Sequence, residues 1–579
     1  MECTENTFIT HDHTELFYRH WQGSSDKAII LFHRGHEHGG RMAHLVDELG
    51  MPECHFFAWD ARGHGQSPGK RGDSPGFEYN VADIQSFVEY ISKTYGIATE
   101  NMVVVAQSVG AVLAATWAHD YAPKIRGMVL ASPAFDIKLY VPLAIPGLRL
   151  AHALFGNFFV NSYVKAHYLT HDKARAESYN SDPLITRPIS VNMLLGVFDG
   201  AKRVVADAAA ITIPTQMLVS GSDFVVYEKP QRRFFDKLGT AHKEYHVLPG
   251  FYHDTLGEQE RHLATDKMRR FITNLFDNPL QTIDLTQADR RGYTCSEAEA
   301  LATPVPAGSI KDKYWHYYRK AFAWLGQRSE GIRLGFELGF DSGSTLDYVY
   351  RNKPSGDGLF GKFVDYCYLN SVGWRGIRQR KVNLETSIKQ VVKQLQDDGK
   401  PVRLMDVAAG HGRYVLEAVQ SLNDKPEAVL LRDFSDVNVT DGQALIDNMG
   451  LANIAKFEQG DAFDKQALSN IELKPNLVIV SGLYELFADN TMLQNSLAGI
   501  AAAMDEDGYL IYTGQPWHPQ LELIARSLTS HKDGNAWVMR RRTQAEMDQL
   551  VEQAGFEKCQ QKIDQFGIFT VSIAKKRSQ

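Results

Sequence analysis

The sequence has few cysteines and no motif that would pair them. Five cysteines are scattered through 579 residues, and no two stand in a C-x-x-C spacing. This pattern favours neither a structural zinc site nor a disulfide framework. We therefore expect no bound metal. A cytoplasmic location is predicted, with the inner membrane surface as a peripheral alternative.

Long apolar runs and an excess of basic residues are also missing. No stretch of about 18 uninterrupted apolar residues occurs, and the first 21 residues lack the basic-then-apolar pattern of a signal peptide. The net charge is −7 with both signs interspersed. Nucleic-acid binders carry a basic excess, so no nucleic acid is expected as a partner. A small-molecule or lipid substrate is expected instead.

The sequence does contain two series of short apolar strands that alternate with helical patterns. This alternation is typical of parallel α/β sheets. The first series lies within a predicted domain 1–278, and residues 279–310 lose the periodicity and are predicted to be a linker. Residues 311–400 are predicted to be a helical segment, and 401–579 a second α/β domain. Two separate sheets suggest two activities.

The stretch "VVVAQSVG" at 103–110 places Ser108 directly after a buried strand. One interpretation is a nucleophile elbow, in which a serine on a tight strand-to-helix turn presents its hydroxyl to a site. The other is an ordinary helix that begins with Ser108 as its N-cap. These eight residues alone leave both interpretations open.

A serine nucleophile needs a base and an acid that orients the base. Asp223 ends the apolar stretch "TQMLVSGSD", and His253 follows the next one in "HVLPGFYHD". The order serine, acid, histidine is the one that this fold class uses. We predict Ser108, Asp223 and His253 to be the catalytic residues.

The reaction also needs backbone N–H donors for an oxyanion. Val109 follows the nucleophile, and Arg34 lies in the glycine-containing loop "HRGHEHGG" after the strand "KAIILFH". We predict their N–H groups to be these donors. A metal site in the same loop is the alternative, but its histidines lack helical ligand spacing.

Five stretches of the first half together resemble the monoglyceride lipase and lysophospholipase branch of the α/β-hydrolases. They are "FHRGHEHGGR", "WDARGHGQSPGKRG", "VVVAQSVGA", "SGSDFVV" and "PGFYHD". The resemblance implies an α/β-hydrolase fold, cleavage of acyl esters, and an apolar cap at about 135–210 that covers the site and can touch a membrane. Ala106 departs from the usual first glycine of the elbow.

The second half begins with a strand, a glycine-containing turn and a helix at 402–419. Gly410 and Gly412 allow close approach to a ligand at the helix start. The third glycine of a dinucleotide motif is missing. Asp406 at the strand end fits S-adenosyl-L-methionine better, because its carboxylate can meet the ligand's ammonium group directly or through water.

The next two strands also end on carboxylates. Asp433 is predicted to hydrogen-bond the ribose hydroxyls, and Asp461 the adenine amino group, with Ala462 beside the ring. A helix cap is the alternative for each of the three aspartates. Their register, one per strand–helix unit, favours the cofactor site.

This half resembles class I S-adenosylmethionine-dependent methyltransferases, specifically a domain fused behind such hydrolases in bacteria. The resemblance implies a Rossmann-like sheet and S-adenosyl-L-methionine as cofactor. Ala408 stands at the first glycine position of the usual loop, and no signature fixes the methyl acceptor. Residues expected on the acceptor side are Tyr484, Glu485, Gln515 and His518.

A basic cluster, "RGIRQRK" at 375–381, precedes the second sheet. It is interpreted either as a solvated helix face or as a phosphate contact. For the whole chain we predict a bifunctional enzyme, a lipid esterase joined to a methyltransferase. Two alternatives stay open: a methyltransferase with a non-catalytic hydrolase scaffold, and an esterase with a regulatory S-adenosyl-L-methionine-binding domain.

Overall fold

The chain divides into two compact units, Met1–Ile283 and Asp284–Gln579, in a computed structural model that describes residues 1–280, 282–531 and 534–578. The predicted linker, 279–310, includes Gln281, which lies outside the described residues. Its larger part, from Asp284 onward, belongs to the second unit and carries a helix, Tyr293–Ala302. The boundary is therefore sharper than the sequence suggested, because this segment is bonded to the second unit: the Leu285 N–H donates to Gln549, and Asp289 accepts from the Asn490 N–H.

The first unit is built on an eight-stranded sheet. Its strands have the order β1-β2-β4-β3-β5-β6-β9-β10, and all neighbours from β4 onward are parallel. Strands β1 and β2 form an antiparallel hairpin at one edge, which the sequence analysis did not predict. The strands of this unit are β1 Cys3–Ile9, β2 Glu15–Trp21, β3 Ala28–Phe32, β4 His55–Trp59, β5 Met102–Gln107, β6 Gly127–Ala131, β7 Phe159–Asn161, β8 Pro188–Ser190, β9 Thr215–Ser220 and β10 Lys243–Leu248.

Strands β3 to β6 are buried along their whole length, because their β-branched and aromatic side chains face helices on both sides. A small two-stranded antiparallel sheet, β7–β8, and three helices, α4 to α6, are inserted between β6 and β9, where the cap was predicted. The helices of this unit are α1 His44–Glu48, α2 Phe77–Tyr95, α3 Val109–Tyr121, α4 Ala144–Phe155, α5 Lys173–Ser181, α6 Val191–Ala206, α7 Glu228–Lys237 and α8 His262–Asp277.

The second unit has a seven-stranded sheet of the order β13-β12-β11-β14-β15-β17-β16. Strands β11 to β15 are parallel, and β17 runs antiparallel to both its neighbours. The strand order reverses between β11 and β14, and ligands of such sheets bind at this switch point. The strands are β11 Arg403–Asp406, β12 Ala428–Asp433, β13 Ala455–Gln459, β14 Leu477–Val480, β15 Tyr509–Gly514, β16 Phe556–Ile563 and β17 Thr570–Lys576.

Five helices, α10 to α14, occupy the segment predicted to be helical. Their apolar faces pack into a cluster that includes Ile332, Phe340, Trp374 and, from the loop before β17, Phe569. The helices of the second unit are α9 Tyr293–Ala302, α10 Ile310–Gly326, α11 Glu330–Leu338, α12 Gly343–Arg351, α13 Gly358–Leu369, α14 Val372–Asp397, α15 Arg413–Gln420, α16 Asp436–Asn448, α17 Lys465–Ser469, α18 Asn490–Ala503, α19 Leu521–Ser527 and α20 Gln544–Gln553.

Among the described residues, no helix combines the length and the apolar character that a membrane span requires.

Candidate active sites in the two units

Ser108 sits on a strained turn between β5 and α3. Its backbone has φ 55° and ψ −115°, a conformation that non-glycine residues adopt at a cost of about 1–3 kcal/mol. The Ser108 side chain makes no capping hydrogen bond to α3. A side chain at Gly110 would collide with the His33 carbonyl oxygen at 2.4 Å. The turn therefore requires glycine there, whereas Ala106 is accommodated in the core.

The structure brings the three predicted catalytic residues into one hydrogen-bonded chain. Ser108 Oγ lies 2.8 Å from His253 Nε2, and His253 Nδ1 lies 2.8 Å from Asp223 Oδ2. All three residues are buried. This geometry lets the imidazole take a proton from the hydroxyl while the carboxylate fixes the ring orientation.

Asp223 is held as an ionised acceptor. Burial opposes its ionisation, but the charge of His253, the hydrogen bond to that ring and two backbone N–H groups together lower the pKa of Asp223. The two N–H groups belong to Val225 and Val226, at 2.7 and 3.0 Å from Oδ1. One carboxylate oxygen is thus anchored to the backbone, and the other is directed at His253.

The two predicted oxyanion donors lie side by side: Arg34 is in the loop after β3, and Val109 is the first residue of α3. A side-chain carbon at Gly35 would come within 3.0 Å of Val109 Cγ2. Arg34, Ser108 and Val109 border the same cavity. The loop after β3 therefore lies directly beside the start of α3.

The histidines of "HRGHEHGG" have separate partners. His33 contacts the Arg34 carbonyl, His38 contacts Asp182, and burial lowers the pKa of His36 to about 4. Within the described residues, the only cluster with metal-ligand spacing is His11, Asp12 and Asp83, outside this loop. The arrangement gives no support to the metal alternative.

A cavity of about 590 Å³ opens in front of Ser108. Its walls come from the inserted cap and carry apolar side chains, and no carboxylate lines it among the described residues. Apolar side chains of the cavity include Ile137, Leu148, Val160, Ile189, Met193 and Leu194.

Sequence analysis missed a buried ionic network behind the triad. Asp254, next to His253, accepts from Arg175 Nε at 2.5 Å and from Gln107 Nε2 at 3.1 Å. Arg34 pairs with Glu37 in the same region. Arg175 lies on cap helix α5, so the network ties the cap to the histidine loop. The sequence signal was only the adjacency of a second acid to His253.

In the second unit, the glycine loop after β11 is fastened to Asp433. Gly410 and Gly412 have φ of 58° and 71°, in the left-handed region that favours glycine. The Gly410 N–H donates to Asp433 Oδ2 at 2.9 Å, and Asn438 donates to Oδ1. The structure thus brings the predicted glycine loop together with Asp433, the residue predicted to bind the ribose hydroxyls.

Asp406 is fully buried and does not line the loop pocket. Its Oδ2 accepts a hydrogen bond from the Tyr414 hydroxyl. Its Oδ1 has no hydrogen-bond partner in the part of the chain that the structure describes. Burial raises the pKa of Asp406 to about 7. Tyr414 and Ala408 line a pocket of about 40 Å³ in its place. Direct contact of Asp406 with a ligand is therefore blocked in this arrangement, because Tyr414 covers it.

The predicted adenine contacts lie apart from that pocket. Asp461 is exposed, and its Oδ1 accepts from the Phe463 N–H at 2.8 Å. Ala462 is buried in the apolar cluster on that face of the sheet. Asp461 stands at the carboxyl edge of the sheet, as predicted. Its hydrogen bond to the Phe463 N–H is that of a capped turn, which is the alternative given for this aspartate.

Three of the four acceptor-side residues meet in one cavity. Glu485, Gln515 and His518 border a space of about 340 Å³ under helices α10 to α14. Tyr484 does not, because it is buried in the core and donates to Ser496.

The basic cluster at 375–381 does not form one surface. Arg380 is buried and borders both the 340 Å³ cavity and the loop pocket. Arg378 donates to the Leu369 carbonyl, and Lys381 pairs with Glu385 and Glu417. These basic side chains therefore do not share one surface, because α14 turns them to different sides, and Arg375 is the exposed member of the stretch.

Comparison with known proteins places both units in families. A family model described as "Putative methyltransferase" matches residues 268–576, and one described as "Serine aminopeptidase, S33" matches residues 23–260. The chain is 56% identical to "Uncharacterized protein YnbC" of Escherichia coli over 579 residues, 99% of this chain and 98% of that one. The chain therefore belongs to this methyltransferase family, as a fusion with an N-terminal α/β-hydrolase unit.

Proteins that are similar to the first unit alone include lipases. The monoacylglycerol lipase of Mycolicibacterium smegmatis is 24% identical, covering 47% of this chain and 97% of its own. The monoglyceride lipase of Mus musculus is 27% identical, covering 42% and 82%. Among solved structures, the Paleococcus ferrophilus monoacylglycerol lipase is 24% identical with a TM-score of 0.42, covering 45% of this chain and 99% of that one. The predicted resemblance of each half is confirmed.

Proposed function

We propose that the first unit is a serine hydrolase that cleaves acyl esters of lipid-like substrates, monoacylglycerol or lysophospholipid. The observation that carries this proposal is the hydrogen-bonded chain Ser108–His253–Asp223 facing an apolar cavity of about 590 Å³. The names of the lipase relatives point to the same substrate class.

In this proposal, Ser108 Oγ attacks the ester carbonyl carbon while His253 takes the hydroxyl proton. The backbone N–H groups of Arg34 and Val109 stabilise the oxyanion. His253 then gives the proton to the leaving alcohol, and an acyl-serine forms. Water, activated by the same imidazole, releases the fatty acid and restores Ser108.

The lining of the cavity favours an ester with an apolar acyl chain over a peptide N-terminus. An aminopeptidase has to compensate the positive charge of a free amine, and no carboxylate lines this cavity among the described residues. The cap supplies apolar walls, which match a hydrocarbon chain.

We propose S-adenosyl-L-methionine-dependent methyl transfer for the second unit. The glycine loop lies at the switch point of the sheet, and Asp433 stands where it can accept from ribose hydroxyls once its bond to Gly410 is exchanged. Ala408, Gly410 and Gly412 would hold the ligand by close backbone approach. S-adenosyl-L-methionine would supply an electrophilic methyl group at this edge of the sheet.

We further propose that the cap touches a lipid surface from the cytoplasmic side. Helix α4 exposes Leu150, Leu154 and Phe155 to between 63% and 78%. A helix with such a face suits an interface. Phe155→Asp should weaken sedimentation with anionic lipid vesicles while leaving hydrolysis of a short-chain ester unchanged; unaltered sedimentation would refute this contact.

The first experiment is active-site labelling with a fluorophosphonate, in wild type and Ser108→Ala. Labelling that is lost in the variant and suppressed by monoacylglycerol or lysophospholipid is the expected result. Titration calorimetry with S-adenosyl-L-methionine tests the second unit separately. A folded wild type that does not react would favour the scaffold alternative. Cofactor binding without methyl transfer to any lipid would favour the regulatory one.

A further inference from the structure

The 340 Å³ cavity of the second unit is polar at one end and apolar at the other. Its polar end follows strands β14 and β15 and carries Glu485, Gln515 and His518. Its other walls are mainly aromatic and aliphatic side chains from α10, α13, α14 and the segment before α20. They include one further carboxylate, Asp341, which accepts hydrogen bonds from the Ser530 hydroxyl and the His531 N–H. The aromatic members are Tyr318, Phe322, Tyr368, Trp374, Trp537 and Phe569.

The cavity adjoins the glycine-loop pocket. Arg380 and Leu346 border both spaces, and a side-chain carbon at Gly482 would come within 3.0 Å of Arg380 Nη2. A molecule whose polar end lies at Glu485 therefore reaches towards the edge of the sheet where the cofactor is proposed to bind.

The side chain of Glu485 is buried, and one of its two carboxylate oxygens lacks a donor among the described residues. Its side chain is 8% exposed, its Oε1 accepts from the Thr513 hydroxyl at 2.7 Å, and its Oε2 has no hydrogen-bond partner within the part of the chain that the structure describes. A buried carboxylate oxygen without a donor is costly, so a ligand that donates a hydrogen bond is favoured there.

His518 is a donor at the same end. Its Nδ1 accepts from the Gln520 N–H at 3.1 Å, so the neutral ring carries its proton on Nε2. Burial lowers the pKa of His518 to about 4, so the ring is neutral at physiological pH. The polar end thus offers one strong acceptor and one donor.

The charge at this end is balanced. Arg380 Nη1 lies 3.7 Å from Glu485 Oε1, and both side chains are buried. A carboxylate group brought beside Glu485 would be repelled, and an ammonium group has no lone pair to accept from His518. A neutral hydroxyl both donates and accepts, and therefore matches both residues.

We propose that this cavity binds the methyl acceptor, and that the acceptor is an amphiphile whose hydroxyl group lies between Glu485 and His518. This inference rests on the proposed methyl transfer. The hydroxyl oxygen forms a bond to the methyl carbon, the electron pair of the broken carbon–sulfur bond stays on sulfur, and the hydroxyl proton passes to Glu485. The product is a methyl ether, and Glu485 is the general base.

Cys367 gives a readout that belongs to this cavity alone. It lines the cavity and is exposed, whereas Cys3 and Cys559 are exposed elsewhere. The full chain is treated with N-ethylmaleimide, and alkylation of each cysteine is followed by peptide mass spectrometry. The probes are 4-nonylphenol, 1-dodecanol, dodecylammonium and dodecanoate, so that phenols and aliphatic alcohols are compared.

We expect a hydroxyl probe to slow alkylation of Cys367 severalfold, with Cys3 and Cys559 unchanged and dodecanoate without effect. The cavity-filling variants Leu325→Trp and Leu523→Trp should abolish the protection, and Trp324→Ala, an exposed neighbour, should retain it. Two cavity-filling variants are used so that the test still holds if one of them does not fold. Protection by dodecanoate alone, or by no probe, would overturn the proposal.

Glu485→Gln separates binding from chemistry. The variant should still bind S-adenosyl-L-methionine in calorimetry and still protect Cys367, while formation of methyl ether from the protecting probe falls by about 10²-fold or more. Undiminished methylation would overturn the role of Glu485 as base. Protection of Cys367 without cofactor binding in the wild type would count against the proposed methyl transfer and not against the hydroxyl site.

Discussion

The two units differ in how complete their sites are without a ligand. In the first, Ser108, His253 and Asp223 already form a continuous hydrogen-bonded chain, and the buried acid Asp254 behind them is paired. In the second, Glu485 Oε2, Arg380 Nε and Ser481 Oγ are buried without partners among the described residues. A hydrolase carries its chemistry on its own side chains, whereas a transferase is completed by the molecules that it binds.

The two units also differ in the pKa of a buried carboxyl group, which is lowered in the first and raised in the second. In the first unit, burial opposes ionisation of Asp223, but His253 and backbone donors overcome it. In the second, burial outweighs the hydrogen bond from the Tyr414 hydroxyl and raises the pKa of Asp406 to about 7. The variants below test whether this difference between the units is real.

The largest effect is expected from Ser108→Ala. Loss of the nucleophile should lower ester hydrolysis by about 10⁴-fold or more and leave S-adenosyl-L-methionine binding unchanged. The matched control is Ser162→Ala, which lines the same cavity without contacting His253. A rate in Ser108→Ala close to that of the control would remove Ser108 from the mechanism.

Arg175→Met should destabilise the first unit by about 3–5 kcal/mol, because it leaves Asp254 buried without its closest cation. Hydrogen exchange resolved by peptide measures the loss in the first unit and should show none in the second. Arg149→Met, which breaks the exposed pair with Asp199, should cost less than about 1 kcal/mol. Equal effects of the two variants would mean that the network is not a structural tie.

Asp406→Asn should stabilise the second unit at high pH. A pKa raised from 3.8 to about 7 means that the native state binds the proton more tightly than the unfolded state. Wild-type stability therefore falls as pH rises from about 4 to about 7, by roughly 4 kcal/mol in total. The variant lacks this loss, so the two should agree near pH 4 and differ most near pH 8.

Exposed Asp424→Asn is the control for that experiment and should show no such pH-dependent difference from wild type. The measurement is peptide-resolved hydrogen exchange across the pH range, corrected for the intrinsic exchange rate. A difference between Asp406→Asn and wild type that stays constant with pH would show that the pKa of Asp406 is the same in the folded and unfolded states, and that burial does not raise it.

The smallest effect is expected from Asp433→Ala, which should weaken S-adenosyl-L-methionine binding by about 1.5–3 kcal/mol, as for hydrogen bonds to a charged group. Asn438→Ala is the control, because it removes one support of Asp433 and keeps the carboxylate. It should cost less in the same calorimetric titration. Equal losses would mean that Asp433 acts only by holding the glycine loop.

Short-range patterns predicted the framework well. The six strands from "KAIILFH" to "EYHVLPG" and the six from "VRLMDVA" to "GIFTVSIAKK" all exist. Most of them are continuous apolar runs, as buried parallel strands are, whereas β10 and β13 are partly exposed edge strands and β17 is antiparallel. The hairpin β1–β2 and strand β16 were missed. The edge strands β1 and β16 are polar and partly exposed, and β2, although mostly buried, mixes polar and apolar residues, so none of the three is a continuous apolar run.

Site residues could be predicted where a local motif fixes the position of the side chain. They were harder to predict where tertiary packing fixes its direction. Ser108 and Gly110 follow from one turn, and its geometry needs only local sequence. Tyr484 and Glu485 are neighbours in the chain, but one enters the core and the other the cavity, because the turn after β14 sends consecutive side chains to opposite sides.

The sequence by itself determined the two sheets, the order of serine, acid and histidine, and the glycine loop, because each depends on residues within one strand and its following turn. Only the tertiary structure decided that Arg175 meets Asp254, that Tyr414 covers Asp406, and that Arg380 lies buried between two cavities. Arg175 and Asp254 are 79 residues apart in the chain, and Tyr414 meets Asp406 from the helix that follows its strand. Each arrangement depends on which side chains are buried together, and no local pattern records that.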